Sequence, residues 1–103
     1  MLFIETPTFT RLIVELLDDD EYSKLQIELS NHPDAGDLIK NGGGIRKLRW
    51  KRAGTGKSGG IRVIYYWITE DNQILMLVAY PKSIKDNLTD KETAILRKFV
   101  KEL

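Results

Sequence analysis

Cysteine is absent from the 103 residues of this chain, and histidine occurs once. Without cysteine there is no disulfide framework and no thiolate metal site, so a reducing cytoplasm is the simplest home. The lone His32 sits in "SNHP", behind an expected helix and next to Pro33. One remote histidine and no cysteine exclude the usual nucleophile pairs, Ser-His-Asp triads and zinc arrangements. No apolar run approaches the roughly 18 residues of a membrane span. The start "MLFIETPTF" has neither the basic beginning nor the long apolar core of a secretion signal. Repeats and low-complexity stretches are missing too. The length sets a single domain, residues 1–103, with room for one modest core. It is too short for a complete P-loop or Rossmann sheet with crossover helices.

Acidic residues are missing from one third of the chain, and this absence is the most informative. The formal net charge is only +1, yet residues 38–69 hold Lys40, Arg46, Lys47, Arg49, Lys51, Arg52, Lys57 and Arg62 and no Asp or Glu. The rest of the chain carries eight basic and all 15 acidic residues, a balance of −7. Solvated faces usually mix signs, so a segregated cationic third points to a surface that binds a polyanion.

Within that third, "KRAGTGKSGG" imitates a phosphate loop. The pattern G-x-x-x-x-G-K-[ST] would align Gly56, Lys57 and Ser58 but needs a glycine where Lys51 stands. A phosphate loop also opens a helix, whereas "IRVIYYWIT" follows here, rich in β-branched and aromatic residues. That is a strand, and the nucleotide reading is set aside.

Hydrophobic periodicity supplies the frame. "LFIET" reads as a short strand. Pro7 then opens a helix whose Phe9, Leu12, Ile13, Leu16 and Leu17 form one apolar stripe. The run Asp18-Asp19-Asp20-Glu21 suits the positive N-terminus of a second helix, with Tyr22, Leu25 and Leu29 on one side, ending at "SNHP". Capping explains these carboxylates better than a cation site, because consecutive helical residues point in different directions. After the loop "DAGDLIKNGGG" come a basic strand "IRKLRWKR", an arm over residues 52–60, the strand "IRVIYYWIT", a turn at "EDN" and the strand "QILMLVAY". Thr89 and Glu92 make a capping box for a last helix with Ile95, Leu96, Phe99, Val100 and Leu103 as its packed side. The order β-α-α-β-β-β-α predicts an α+β domain: an N-terminal helical hairpin on a mostly antiparallel four-stranded sheet, with a C-terminal helix.

By the two-residue period Lys47, Arg49 and Lys51 share one face of the basic strand. If that strand pairs with the next, Arg62 meets the same region, so several cations surround one phosphate. The plainer reading is a strand kept soluble by Lys and Arg. The arm with Lys57 either approaches a ligand through its glycines or is an incidental hairpin tip. Among Trp50, Tyr65, Tyr66, Trp67 and Tyr80 most must be core, leaving one or two, Tyr80 first, to stack on unpaired bases.

Together, "GGGIRKLRWKRAGTGKSGGIRVIYYWI" and "ILMLVAYPK" resemble the RelE/ParE toxin superfamily, on its RelE side and closest to HigB-like toxins. In those a "G-[IL]-R-K-[IL]-R" strand and a "G-G-x-R-[IV]-I-Y-Y" strand flank a loop rich in Gly and Lys. The resemblance covers nearly the whole chain. It implies a RelE-like fold and the toxin of a type II toxin–antitoxin system, an endoribonuclease that cuts messenger RNA in the ribosomal A site without metal or other cofactor. Its implied partners are a HigA-like antitoxin, the 70S ribosome and mRNA, in the cytoplasm and away from membranes. The family's basic strand residues fall on Lys47 and Arg49, and its arginine opening the next strand on Arg62. These would be catalytic, with Arg46, Lys51, Arg52, Lys57, Tyr80 and Lys82 contacting RNA or ribosome.

The chain departs from some relatives, which place a Tyr beyond the last strand where "SIKDNLTDKE" stands here. Lys82 and Tyr80 are the nearest substitutes. Two other readings compete: a ParE-like, non-nuclease inhibitor of DNA gyrase, which tends not to need the basic strand, and a nucleic-acid-binding module without catalysis.

Overall fold

The computed structural model describes residues 1–52 and 59–103. Its elements are β1 (Leu2–Glu5), α1 (Pro7–Leu16), α2 (Asp19–Asn31), β2 (Asp37–Leu38), β3 (Ile45–Trp50), β4 (Ile61–Ile68), β5 (Gln73–Pro81) and α3 (Asp90–Lys101). Local chemistry sets the helix ends. The side chains of Thr6, Asp18 and Thr89 each accept from the backbone N–H three residues on, and Thr89 with Glu92 completes the capping box. Asp18 thus acts as a cap. Gly60 is followed by β4 and by no helix, in line with the rejection of a phosphate loop.

The sheet runs β1-β5-β4-β3-β2, antiparallel except for the parallel β1–β5 pair. The α+β class and the mostly antiparallel sheet hold, but the strand count is corrected: the described residues form five strands where four were expected. The extra one, β2, is two exposed residues and has no hydrophobic alternation from which to read it. It forms because Gly36 packs against the Tyr65 ring, where a Cβ would lie 2.8 Å from Cε1. The Tyr65 hydroxyl accepts from the Gly36 N–H (2.8 Å) and donates to the Pro33 carbonyl (2.7 Å). That tether lays Asp37 and Leu38 beside Lys47 and Arg46.

Helices cover both faces of the sheet. On one, Phe9, Ile13 and Leu17 of the first stripe and Leu25 and Leu29 of α2 bury against Leu48, Val63, Tyr65 and Met76. On the other, Val100 and Leu96 of α3 meet Ile45, Ile64, Leu75 and Leu77. A bulge at Ile64/Tyr65 skips Leu77, which puts Leu77 and Val78 together on the α3 side. The central strands are therefore apolar on both faces. The α3 stripe is only partly covered. Ile95, Phe99 and Leu103 remain exposed and line a trough of about 650 Å³ with Ile4, Leu75 and Leu77.

Candidate functional site

Strand alternation and register assemble the cationic face. Ile45 anchors β3 in the α3-side core, so Lys47 and Arg49, two and four residues on, project from that same face. Across the ladder Arg49 lies directly opposite Arg62, and Arg62 lies opposite Tyr80 on β5. Two arginines facing each other repel unless anions intervene. Each has one. Asp37 Oδ2 accepts from Arg49 Nη1 at 3.1 Å, and one Asp86 oxygen accepts from both Nε (2.8 Å) and Nη2 (2.6 Å) of Arg62. Lys47 donates to Asn87 Oδ1.

The Arg62 side chain is only 6% exposed, while Asp86, on the connection over residues 82–89, is 50% exposed. Arg62 is thus a nearly buried cation on an apolar strand, compensated by a carboxylate that reaches in from solvent. The Arg62 guanidinium holds the Asp86 carboxyl below its ordinary value, against a smaller effect of burial; Lys47 and Arg49 add to the lowering. Arg62 alone bonds this carboxylate; Lys47 and Arg49 project from the same face and bond Asn87 and Asp37.

Tyr80 lies opposite Arg62. Burial, reinforced by Glu92 and Asp86 and opposed by Arg62, pushes its phenol up to about 12. The side chain is 6% exposed, and Lys85 Nζ stands 5.0 Å over the ring while pairing with Glu92. The ring offers no open face for a base while Lys85 lies on it. The other expected contacts spread out. Arg46 points to the opposite side, donating to the Gly36 carbonyl at 2.8 Å and so helping to tether β2. Lys51 is exposed just beyond β3, Arg52 Nε donates to the Gly59 carbonyl at 2.7 Å, and Lys82 is exposed beyond β5. Lys57 lies outside the described residues. His32 pairs with Glu28 near the C-terminus of α2, apart from the cationic face.

Sequence reasoning found the cations and missed the anions. Asp37, Asp86 and Asn87 come from segments without regular periodicity. The available signal was the acid-free stretch itself: its counter-charges had to come from outside residues 38–69, and they come from Asp37, which immediately precedes it, and from Asp86, between β5 and α3.

Among the described residues no helix is long and apolar enough to cross a membrane, and no group of three or more His, Cys, Asp and Glu is placed to hold a metal. The family model described as RelE toxin of RelE / RelB toxin-antitoxin system matches residues 7–103.

Proposed function

This chain belongs to the RelE toxin family of toxin–antitoxin systems, and from that premise we propose that it is a HigB-like endoribonuclease cutting messenger RNA in the ribosomal A site. The observation that carries the reading is Arg62, a nearly buried guanidinium that holds one carboxylate on the strand face that also carries Lys47 and Arg49; that carboxylate stands where a phosphodiester of the same charge would be held.

In this reading Lys47, or Arg49 beside it, orients the ribose 2′-hydroxyl and helps remove its proton. The 2′-oxygen attacks the adjacent phosphorus, the bond to the 5′-oxygen breaks, and that oxygen leaves with a proton. The products are a 2′,3′-cyclic phosphate and a 5′-hydroxyl end. Arg62 faces the charge that gathers on the phosphoryl oxygens, and its near-burial makes each of its hydrogen bonds stronger than in water. The need for a 2′-hydroxyl selects RNA over DNA. Lys51, Arg52, Lys57 and Lys82 extend the positive field for the rest of the strand and for the ribosome, and Arg46 supports the face from behind. Tyr80 contributes a ring only after Lys85 moves. The chemistry asks for no metal or cofactor; the partners are the ribosome, its mRNA and a HigA-like antitoxin, in the cytoplasm.

The test is inducible expression with mapping of transcript 5′ ends, for native protein and Arg62→Ala, beside purified protein acting on translated mRNA with and without ribosomes. Cuts that need both Arg62 and ribosomes are expected. Growth arrest by Arg62→Ala with intact transcripts would sink the nuclease, and loss of DNA supercoiling instead would favour a gyrase inhibitor.

A further inference from the structure

We propose that Asp86 is a built-in counter-anion for the phosphate seat, holding Arg62 in the RNA-free protein and giving way when a phosphodiester binds. The inference rests on the reading of this face as the phosphate-binding one, and it concerns how that face is kept before RNA arrives.

A guanidinium as buried as that of Arg62, opposite Tyr80 on the sheet, needs an anion at all times, since an uncompensated charge there is strongly unfavourable. A phosphodiester and a carboxylate both carry one negative charge. Exchange of one for the other keeps Arg62 compensated at every stage. Adding phosphate on top of Asp86 would instead press two anions on one guanidinium. Exchange is therefore the favoured route.

The contacts are arranged for it. Asp86 uses a single oxygen for both nitrogens of Arg62, less than the two-oxygen, two-nitrogen fork that phosphate can form. Residues 82–89 are fixed at their ends by other bonds: the Lys82 N–H to the Gly60 carbonyl (2.9 Å), the Ile84 N–H to the Pro81 carbonyl (3.1 Å), and the capping box at Thr89. Asp86 can turn into solvent, which it already half faces, without undoing those anchors. The next residue, Asn87, holds Lys47, so one short connection occupies two of the three cations at once.

The experiment uses a fluorescein-labelled single-stranded RNA with 2′-O-methyl groups, which its own 2′-oxygens cannot cut. Fluorescence anisotropy follows its binding to native protein, to Asp86→Asn and to Asp86→Asn/Arg62→Ala. A protein whose seat is mostly occupied by its own carboxylate binds more weakly by the fraction left open, so Asp86→Asn is expected to bind about tenfold tighter, with the gain lost when Arg62 is also replaced. Equal or weaker binding by folded Asp86→Asn, or a gain that survives without Arg62, overturns the proposal. If Asp86→Asn fails to fold, NMR of the native protein decides. The carboxyl carbon of Asp86 and the Arg62 Nε–H should shift together and saturate with the RNA, and an unmoved carboxyl at saturation overturns it. Neither readout requires cutting or ribosomes. Exchange without transcript cutting would therefore remove the nuclease reading alone, and cutting with an unmoved Asp86 would remove the counter-anion alone.

Discussion

Replacing Tyr65 by Phe tests the support on which the cationic face stands. The change deletes one oxygen from a fully buried ring and leaves the rest of the core filled. That oxygen accepts from the buried Gly36 N–H and donates to the Pro33 carbonyl. Without it the Gly36 donor has no partner, which costs about 1–3 kcal/mol, while the carbonyl, partly open to water, adds the smaller loss of an ordinary bond, about 1 kcal/mol. A total of about 2–4 kcal/mol in a domain of this size lowers the thermal midpoint by about 10–20 °C. The effect should also be local. Strand β2 is two exposed residues held otherwise by Arg46 on the Gly36 carbonyl and the exposed Asp37–Arg49 pair, so the Ile39 N–H, bonded to the Ile45 carbonyl at 3.0 Å, should exchange with solvent well before the core amides do. Calorimetry and amide exchange on native and Tyr65→Phe protein measure both. A midpoint within about 2 °C of native, or a fall that leaves Ile39 as protected as before, would refute the tether. An independent check is the phenol: burial raises Tyr65 above the ordinary value of 10.0, so near that pH the ultraviolet titration of native protein should match that of Tyr65→Phe.

Arg62→Lys keeps the charge but loses the fork by which Nε and Nη2 share one anion; transcript cutting should fall about 100-fold with the fold intact, and native-level cutting would show that charge alone suffices. Thr89→Ala breaks the capping box of α3 and should cost about 1 kcal/mol, near 4 °C in the thermal midpoint by circular dichroism; an unchanged midpoint would mean the cap is redundant. In acid, Asp86 and Glu92 act alike: Arg62 lowers the first from 3.8, and Lys85 chiefly lowers the second from 4.5. Folded values below unfolded ones give stability that is present above the unfolded value and lost as pH falls through the folded one. Unfolding midpoints should therefore drop from about pH 5 downward, less steeply in Asp86→Asn/Glu92→Gln; parallel profiles would refute the coupling.

Elements with a strong period were legible in the sequence. The stripe from Phe9 to Leu17, the capped acid run at Asp18, the basic strand from Ile45 and the capping box at Thr89 each announced one element, because local spacing and cap chemistry decide them. What depends on contacts far apart in sequence was hidden. Strand β2 exists through a tyrosine hydroxyl 29 residues away from Gly36. The exposed side of α3 follows from where the helix docks, which the stripe of Ile95, Phe99 and Leu103 does not encode. The site divided in the same way: alternation put Lys47, Arg49 and Arg62 on one face, whereas their partners come from the two-residue strand β2 and the connection after β5, which have no period to read.

The partners change what the charge run means for binding. A cation exposed to solution holds salt anions, and a phosphate that replaces them gains from their release, so affinity falls steeply with salt. Arg49 and Arg62 instead hold Asp37 and Asp86. When a phosphate takes such a place, the displaced carboxylate enters water and gathers a salt cation of its own, which offsets the release. These two arginines should therefore contribute little to the salt dependence of RNA binding, and the exposed Lys51 and Lys82 should contribute most of it. Charge-neutral replacement separates the two classes. Lys51→Gln or Lys82→Gln should flatten the plot of log affinity against log salt, whereas Asp86→Asn should steepen it, because an arginine without its carboxylate holds solution anions like any other cation. A basic third that carried its charge only for solubility would give the same modest slope change at every position.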